Sequence, residues 1–530
     1  MQGVRGRLVA AVTFAVLVLV SVGVTSPASA ADSWTLTGRV TGPTTIVPGG
    51  TTTVRATYLE PDGSAVPSST VTLQKLVDGA WVDAAPISVR DGSGTRVIYP
   101  KGDTTYRLRS GNGAVVSRTF AVAQLDVPAR FTLHGSGYGH GVGMAQYGAY
   151  AQARAGRSAA QILAHYYQGT SSGTRSTPAN TSVQVFGPDP YSFSGYGDYR
   201  HSTTIRVPSG DWRLRRALNG TTTTVASGSK AVTLTVSTDG STTRAKVGTG
   251  QTYSGSIFYV QWSGTTYYRP SSTKRPVVTV AGAQGSYRHG RLVVRSARGY
   301  VNVVNDLRLN TEYLYGIAEM PSSWGISGRS ALSAQAITAR SYALTKSWNT
   351  RCACRVVDDV RDQQYVGWKK ESEGTNAYYG RLWKSAVNAT RTSVTRARVL
   401  AYDGRAVAAH YFSSSGGRTE NSENVWSSRV PYERSVADQW SLDAPGNSMA
   451  SWTRTITQTA ARQLFGLPNV KTLRVSLRYD GGTVARLTAT TAAGTSRSIS
   501  GKADALRAQI GRATTAGSMP AAWIKRITVG

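Results

Sequence analysis

The chain has 530 residues, and 60 Lys and Arg against 28 Asp and Glu give it a formal net charge of +32 at pH 7. This length exceeds one ordinary domain, so we expect two to four folding units with their own cores. Two cysteines exclude a disulfide framework, while 56 Gly, 8 Phe and many short strand-like runs favour a β-rich architecture.

The first thirty residues have the order of a secretory signal peptide. Arg5 and Arg7 precede an apolar run from Leu8 to about Val24, and Ala28-Ser29-Ala30 supplies a small-residue cleavage step. We predict cleavage after Ala30 and a secreted, extracellular protein. An uncleaved anchor is the alternative, because the apolar run is nearly as long as a short membrane span.

The segment 31–125 consists of short runs with alternating polarity, such as 52–58, separated by turn signals such as Asp62-Gly63 and Asp91-Gly92. This spacing predicts a β-sandwich. It resembles the immunoglobulin-like modules that precede bacterial wall enzymes, for which a spacing or adhesive role is expected.

We predict that residues 126–530 form a second, larger region, so that the fold class is multidomain, combining all-β and α+β parts. Its expected parts are a glycine- and histidine-rich segment at 131–170, a β-rich part at 175–310, a core with a central helical block at 311–445, and a C-terminal α/β part at 446–530. Apolar periodicity predicts helices over 151–167, 312–317 and 328–348.

Glu319 lies in an apolar run just before Pro321. A carboxyl can protonate a leaving oxygen near neutral pH only if apolar neighbours raise its pKa, and Met320 and Trp324 are candidate neighbours. The alternative is that Glu319 caps the following helix, whose dipole would lower the pKa. These residues alone favour the capping alternative.

The residues around Glu319 resemble the central signature of the SpoIID/LytB family, which reads roughly N-x-L, then E-Y-L-x-G, then E-M-P, then a helix rich in A-Q-A-x-x-A-R-S/T-Y-A. The matching residues are Asn305, Leu307, Glu312, Tyr313, Leu314, Gly316, Glu319, Met320, Pro321, Ala334, Gln335, Ala336, Ala339, Arg340, Ser341, Tyr342 and Ala343. The family often places two more residues between the glycine and the catalytic glutamate than this chain does.

Three further blocks resemble the same family. They are Asp362-Gln363-Gln364-Tyr365-Val366-Gly367, the serine-glycine loop from Tyr411 to Glu420, and the segment from Gly139-His140-Gly141 through Gln146 to Ala149. Consecutive hydroxyls on a glycine-rich loop suit contacts with sugar hydroxyls, although this loop taken alone is more typical of an ordinary serine-glycine turn. The last block precedes the E-M-P region by about 180 residues, whereas in many relatives it follows it.

The resemblance implies a lytic transglycosylase that cleaves peptidoglycan glycan strands at muramic acid to leave 1,6-anhydro ends, with Glu319 as the single acid/base group. It implies substrate contacts from the matching blocks, namely Arg340, Tyr342, Gln364, Tyr365, Ser413, Ser414, Ser415, Gly416, Gly417, His140 and Gln146. For His140 a structural role in its glycine loop is the favoured alternative. A hydrolytic version would use Glu423 or Asp438 as a second carboxylate.

Part of this family is described as amidase enhancers, so a non-catalytic wall-binding protein that acts on an amidase autolysin is the rival function. The positive charge is consistent with retention on polyanions such as wall teichoic acids, with an ordinary solvated surface as the equal alternative. Export argues against nucleic acid as the partner. No cofactor is expected. A disulfide, two free thiols or weakly supported zinc ligation all stay open for Cys352 and Cys354.

Overall fold

A computed structural model describes residues 33–426 and 428–530. The predicted signal peptide lies outside these residues. The described chain is strand-rich, which confirms the predicted β-rich multidomain class, and it separates into two compact units between Leu125 and Asp126. In the described part of the chain, no helix is long and apolar enough to span a bilayer.

The first unit is built from antiparallel strands, joined at one edge by a short parallel pairing. In space the strand order is β1-β3-β6-β5-β4-β7-β8-β2. Alternate residues of the long strands point into one core, as in β3, where Val54 and Ala56 are fully buried between exposed or half-buried neighbours. Its strands are β1 (Thr35–Val40), β2 (Thr45–Ile46), β3 (Thr52–Leu59), β4 (Ser68–Val77), β5 (Ala80–Arg90), β6 (Ser93–Ile98), β7 (Thr104–Ser110) and β8 (Phe120–Gln124). Its immunoglobulin-like identity stays a prediction.

The second unit combines several sheets with helices. Its strands are β9 (Arg130–Ser136), β10 (Met144–Ala145), β11 (Ser171–Ser176), β12 (Asn180–Phe186), β13 (Ser202–Val207), β14 (Trp212–Leu218), β15 (Thr221–Gly228), β16 (Val232–Thr238), β17 (Thr243–Val247), β18 (Thr252–Gly255), β19 (Ile257–Trp262), β20 (Thr279–Val280), β21 (Arg291–Ala297), β22 (Tyr300–Arg308), β23 (Val356–Val357), β24 (Arg396–Tyr402), β25 (Arg405–Ala406), β26 (Tyr411–Phe412), β27 (Trp452–Thr457), β28 (Thr472–Arg478), β29 (Val484–Thr490), β30 (Ser496–Ser500) and β31 (Trp523–Val529). Its α-helices are α1 (Gln146–Arg154), α2 (Ala159–Tyr166), α3 (Arg329–Thr345), α4 (Trp368–Glu371), α5 (Tyr378–Asn388), α6 (Ser422–Val425), α7 (Gln439–Asp443), α8 (Gln458–Phe465) and α9 (Ala503–Ala513).

Two sheets form the β-rich part of this unit, with strand orders β15-β14-β19-β21-β22-β12-β23 and β18-β17-β16-β13-β20. Their inward residues share one apolar core with the helical block, and α3 is buried along most of its circumference. A helix buried this fully needs small side chains, and its alanines meet that need. The C-terminal part has a separate core, formed by the sheets β27-β9-β31 and β28-β29-β30 with α8 and α9.

The helix predicted over 151–167 is wrong in its bounds, because the chain forms two helices there. Gly156 adopts a φ of +86° and ends the first helix region. Ser158 then caps α2, accepting a hydrogen bond from the Gln161 backbone at 3.3 Å, while the Gln161 side chain accepts from the Ser158 backbone at 2.9 Å. The piece predicted over 312–317 is likewise displaced, to a π-turn at Leu309–Tyr313 that continues to Tyr315.

Gly148, in α1, faces a site with no room for a methyl group. A Cβ atom there would collide with the hydroxyl of Tyr166 and the carboxylate of Asp438, which are themselves hydrogen-bonded at 2.7 Å. We expect Gly148→Ala to lower the free energy of unfolding by about 1–3 kcal/mol through overpacking, as measured by chemical denaturation. Gly173→Ala, in an open position of β11, is the matched control and should leave stability nearly unchanged. Equal effects of the two substitutions would contradict this account.

Candidate functional site

Glu319 lies on a non-helical turn between the π-turn and α3. A 3-10 turn, Ser322–Ile326, separates it from α3, and α3 begins after Gly328 with no side-chain cap. Glu319 is therefore not the capping residue of the helix that follows, and that alternative is wrong. The carboxyl is held instead by tertiary contacts.

Burial is the main influence on the ionisation of Glu319 and raises its pKa above the ordinary value. Three groups oppose this partly: the backbone N–H of Gln364, which donates to Oε1 at 2.6 Å, the hydroxyl of Tyr411 and the more remote ammonium of Lys370. Because Oε1 accepts the backbone N–H, we expect a proton on Glu319 to reside on the other carboxyl oxygen.

Met320 and Trp324, the two predicted apolar neighbours of Glu319, differ from each other in what they contact. Met320 is buried, but its carbonyl accepts a hydrogen bond from the Lys370 ammonium at 2.7 Å, which brings a charge toward the site. The ring of Trp324 stacks on Tyr150 at 4.4 Å between centroids and meets Tyr147 edge-on at 4.9 Å.

The glutamine-tyrosine block lies directly against Glu319. The backbones of Ala318 and Gln364 are hydrogen-bonded at 2.8 Å, so the two segments run side by side. Gln363 is fully buried and bridges two tyrosines, accepting from Tyr313 at 2.6 Å and donating to Tyr411 at 2.9 Å. This buried amide fixes the position of the Tyr411 hydroxyl beside Glu319.

The glycine- and histidine-rich segment reaches the same place despite its early position in the chain. Its strand β10 pairs in parallel with β26, with Met144 opposite Tyr411 and Ala145 opposite Phe412. The next residue, Gln146, donates to the carbonyl of Glu319 at 2.8 Å. Sequence order is therefore no obstacle to this segment forming part of the site.

Glu319 opens into a cavity of about 710 Å³, a size that suits a small-molecule or oligosaccharide ligand. The walls come from segments that are far apart in sequence. The lining residues are Tyr138, Gly139, His140, Gln146, Tyr196, Glu319, Tyr342, Val360, Arg361, Asp362, His410, Tyr411, Phe412, Ser413, Trp426, Asp504 and Arg507.

His140 lines this cavity, but both of its ring nitrogens are engaged within the protein. Nδ1 accepts from the backbone of Val142 at 3.1 Å, so Nε2 carries the hydrogen and donates to the carbonyl of Tyr411 at 3.0 Å. Burial and the nearby His410 lower the pKa of His140 to about 3, so the ring is neutral at physiological pH. The arrangement is that of a histidine that ties its glycine loop to β26.

His410 is a cavity residue that the sequence motifs did not predict. Its Nδ1 donates to the fully buried carboxylate of Glu433 at 2.9 Å, and its backbone N–H donates to the same oxygen at 2.9 Å. The ring lies 4.8 Å from that of Trp426. The only signal in the sequence was a histidine two residues before Phe412, at the entrance to the serine-glycine loop.

The structure brings some of the predicted substrate residues to the cavity and keeps others away. Of that set, the cavity walls include Tyr342, Ser413, His140 and Gln146, and Gln364 touches Glu319 through its backbone. Ser414 and Ser415 are fully buried, and Tyr365 points to Asn305 at 2.8 Å. The remaining loop residues, Gly416 and Gly417, line a different depression beside Trp523 and Lys525.

Arg340 is enclosed in the protein core and does not line the cavity. Its three guanidinium nitrogens donate to the side chain of Asn310 at 2.7 Å, the carbonyl of Arg398 at 2.9 Å and the hydroxyl of Thr390 at 3.0 Å. With no exposed surface, it joins α3 to two neighbouring segments. The geometry supports a structural role for Arg340.

Neither Glu423 nor Asp438 shares the cavity with Glu319. Glu423 forms a bidentate pair with Arg434 at 2.6 and 2.7 Å, which lowers its pKa to about 2. Asp438 is fully buried, which raises its pKa to about 6, and it accepts from Tyr166 and Ser441. The structure therefore places no partner from this predicted pair near Glu319.

The other carboxylates of the cavity wall are both paired with cations. Asp362 accepts from Lys346 at 2.6 Å and from the hydroxyl of Tyr342 at 3.0 Å, and Asp504 pairs with Arg507 at 2.8 Å. Glu319 is the cavity carboxyl whose pKa is raised.

The two cysteines form a disulfide, so the open question of their state is answered in favour of that alternative. Both are buried and pack against Val304. Within residues 33–426 and 428–530, no group of three or more His, Cys, Asp or Glu side chains is arranged to hold a metal ion.

Fold and site together define a β-rich, multidomain protein with a candidate acid/base carboxyl in an open cavity. Residues 297–396 match the family model described as SpoIID, stage II sporulation protein, so the chain carries a domain of the SpoIID family. The match includes Glu319 and the glutamine-tyrosine block but neither His140 nor the serine-glycine loop. The resemblance seen in the sequence is thereby confirmed.

Curated relatives point the same way. The amidase enhancer of Bacillus subtilis strain 168 is 32% identical over 167 residues, which cover 28% of this chain and 21% of that protein. Stage II sporulation protein D of Bacillus amyloliquefaciens is 28% identical over 183 residues, covering 33% and 51% respectively. The same protein of B. subtilis strain 168 is 28% identical over 164 residues, covering 29% and 45%. The chain thus spans about half, or less, of the length of these relatives.

The raised pKa of Glu319 predicts how stability depends on pH. A folded-state pKa above the unfolded one contributes stability below the ordinary value of 4.5, and that contribution is lost as pH rises through the folded-state pKa. Glu319→Gln does not titrate, so its melting temperature relative to wild type should increase with pH over this interval. Thermal melts at a series of pH values test this.

Glu423→Gln is the control of opposite sign. The pKa of Glu423 is lowered to about 2 by Arg434, so its stabilising contribution is present at neutral pH and disappears as pH falls toward that value. This variant should melt below wild type at neutral pH and approach it in acid. Parallel curves for the two variants would contradict both assignments.

The internal contacts of Arg340 predict a loss of stability on conservative substitution. A lysine cannot donate to three partners in different directions, so Arg340→Lys leaves buried acceptors unpaired and should lower the free energy of unfolding by about 2 kcal/mol or more. Arg329→Lys, on the exposed face at the start of the same helix, is the control. An Arg340→Lys variant of normal stability that binds glycan more weakly would restore the substrate-contact hypothesis.

Proposed function

We propose that this protein is secreted and cleaves the glycan strands of peptidoglycan as a lytic transglycosylase, with Glu319 as the acid/base group. The observation that carries the proposal is a buried carboxyl of raised pKa that opens into a cavity of about 710 Å³. The SpoIID-family domain around this carboxyl supports a role in the cell wall.

The raised pKa supports the first chemical step. A glycosidic oxygen leaves readily only when it is protonated, and burial keeps a larger fraction of Glu319 protonated near neutral pH than an exposed glutamate would have. The Gln364 N–H holds one carboxyl oxygen at 2.6 Å, so the proton is offered from the other. Departure of the oxygen leaves positive charge on the muramic acid ring.

The second step uses the same group in reverse. The ionised Glu319 removes the proton from the muramic acid C6 hydroxyl while that oxygen bonds to the anomeric carbon, which closes a 1,6-anhydro ring and restores the protonated carboxyl. The hydroxyl of Tyr411 and the charge of Lys370 stabilise the anion between the two steps. Proton count and bonds balance without water or a cofactor.

The ion pairing of the other acids in this region favours a mechanism with one carboxyl over a hydrolysis that uses two. Asp362 and Asp504 are tied to Lys346 and Arg507, and the ion pair of Glu423 occupies both of its oxygens. A hydrolytic enzyme needs a second carboxylate placed to activate water or attack the sugar. Each of these acids is already paired with a cation, so none is available for either role.

The net charge is +32 for the full chain and falls by two, to +30, when Arg5 and Arg7 leave with the predicted signal peptide, and it supports retention at a wall that carries polyanions such as teichoic acids. A second function is favoured by one specific observation, namely the similarity to a protein named amidase enhancer. In that case the same cavity binds glycan or an amidase without proton transfer by Glu319.

Glu319→Gln separates the two functions. The amide keeps the acceptor that Gln364 needs but carries no transferable proton, so we expect the release of anhydro-muramyl ends from purified glycan to fall by at least about a hundredfold. Product analysis by mass spectrometry, on intact and on peptide-stripped glycan, provides the measurement. Glu60→Gln, in the first unit, is the matched control and should retain wild-type activity.

Two results would count against the catalytic proposal. Equal release by Glu319→Gln and wild type would remove Glu319 from the chemistry. If wild type releases nothing but accelerates an added amidase, and Glu319→Gln does so equally, the enhancer function takes its place.

A further inference from the structure

The loop between β12 and β13, residues 187–201, carries an unusual number of aromatic side chains at the surface. Within nine residues it contains Tyr191, Phe193, Tyr196 and Tyr199. Phe193 is 55% exposed, Tyr199 45% and Tyr196 38%. We call residues 187–201 the aromatic loop. Grouped exposed rings of this kind are typical of binding surfaces rather than of a solvated turn.

Internal contacts hold the aromatic loop in place. The fully buried carboxylate of Asp189 accepts from the backbone N–H of Tyr191 at 3.0 Å, and it also accepts from the backbone of Phe193 and from the guanidinium of Arg361. The hydroxyl of Tyr191 donates to Asp362 at 2.6 Å. The exposed rings are thus presented by an anchored backbone, which lowers the entropic cost of binding through them.

The aromatic loop is continuous with the cavity of Glu319. Tyr196 lines that cavity, and the guanidinium of Arg361 lies 5.0 Å from its ring centroid. Phe193 does not line the cavity and is more exposed than Tyr196, and its ring centroid lies 6.5 Å from that of Tyr196. A linear ligand that leaves the cavity past Tyr196 therefore meets a second ring.

From this continuity we infer that Phe193 and Tyr196 form a subsite for sugar rings of the glycan strand beyond the residues held in the cavity. This inference rests on the proposed function. A polysaccharide strand is longer than the cavity, so part of it must lie on the protein surface outside. The faces of pyranose rings are lined by C–H groups, which gain free energy by covering an aromatic ring, while their edges keep hydroxyls in water.

The test measures binding in a Glu319→Gln background, so that no ligand is consumed. The probes are short and long β-1,4-linked oligomers of N-acetylglucosamine and peptide-stripped glycan strands, titrated by calorimetry. Long oligomers should bind more tightly than short ones. The Phe193→Ala/Tyr196→Ala variant should bind long oligomers roughly tenfold more weakly while short ones change much less, because it loses Phe193 outside the cavity and Tyr196 at its wall but keeps the wall residues around Glu319.

Two controls keep the result specific. Tyr378→Ala removes a ring of similar exposure, 48%, that does not line the cavity, and it should leave the length dependence intact. Tyr191→Phe keeps the ring but loses the hydrogen bond to Asp362, and it should weaken long-oligomer binding less than the double variant does.

An unchanged length dependence in the double variant would overturn the subsite. So would normal glycan binding accompanied by loss of amidase stimulation, which would assign the loop to a protein partner. Cleavage is measured separately, as the anhydro ends released by the protein that keeps Glu319. If the double variant loses the length dependence of binding, and the protein that keeps Glu319 releases no anhydro ends, the subsite is supported and the catalytic proposal fails.

Discussion

The parallel pairing of Met144–Ala145 with Tyr411–Phe412 is the contact on which the site depends. It joins two segments more than 260 residues apart, and on either side of it lie the groups that define the cavity. Gln146 follows one strand and holds the Glu319 carbonyl, while Tyr411 belongs to the other and faces the Glu319 carboxyl. Closing so long a loop costs entropy, which the surrounding buried core offsets.

Around this pairing, polar side chains are used mainly to position one another. Gln363 orients Tyr411, His140 fastens its glycine loop to β26, and Glu433 fixes the ring of His410. Each of these groups is bonded to a partner within the protein, which is the condition for burying polar atoms without a large penalty. Glu319 differs because its burial is only partly compensated, and that imbalance is the source of its raised pKa.

The aromatic loop is held by internal hydrogen bonds of the same kind as those that position the cavity residues. The aromatic loop, between two strands of the β-rich part, is anchored on Asp189 and Asp362, and the Asp362 carboxylate also receives Tyr342 from α3. Cavity wall and loop thus share one buried acid. Asp362, which holds the loop, lies two residues before Gln364, which holds Glu319, so this short segment fixes a ligand on the loop in position relative to the Glu319 carboxyl.

The sequence by itself determined the β-rich class, from its alternating short runs, and the family, from the residues around Glu319-Met320-Pro321. It also identified the glutamine-tyrosine block, because the residues of these motifs are close together in the sequence and can be recognised without knowledge of the fold. Tertiary structure alone decided that Glu319 is not a helix cap and that Arg340 is buried and hydrogen-bonded to neighbouring segments. It also decided that His410 is hydrogen-bonded to Glu433, 23 residues away. Such facts depend on which distant segments pack together. Periodicity predicts which face of a helix or strand is buried, but neither periodicity nor spacing identifies the partner of a single polar side chain across the fold.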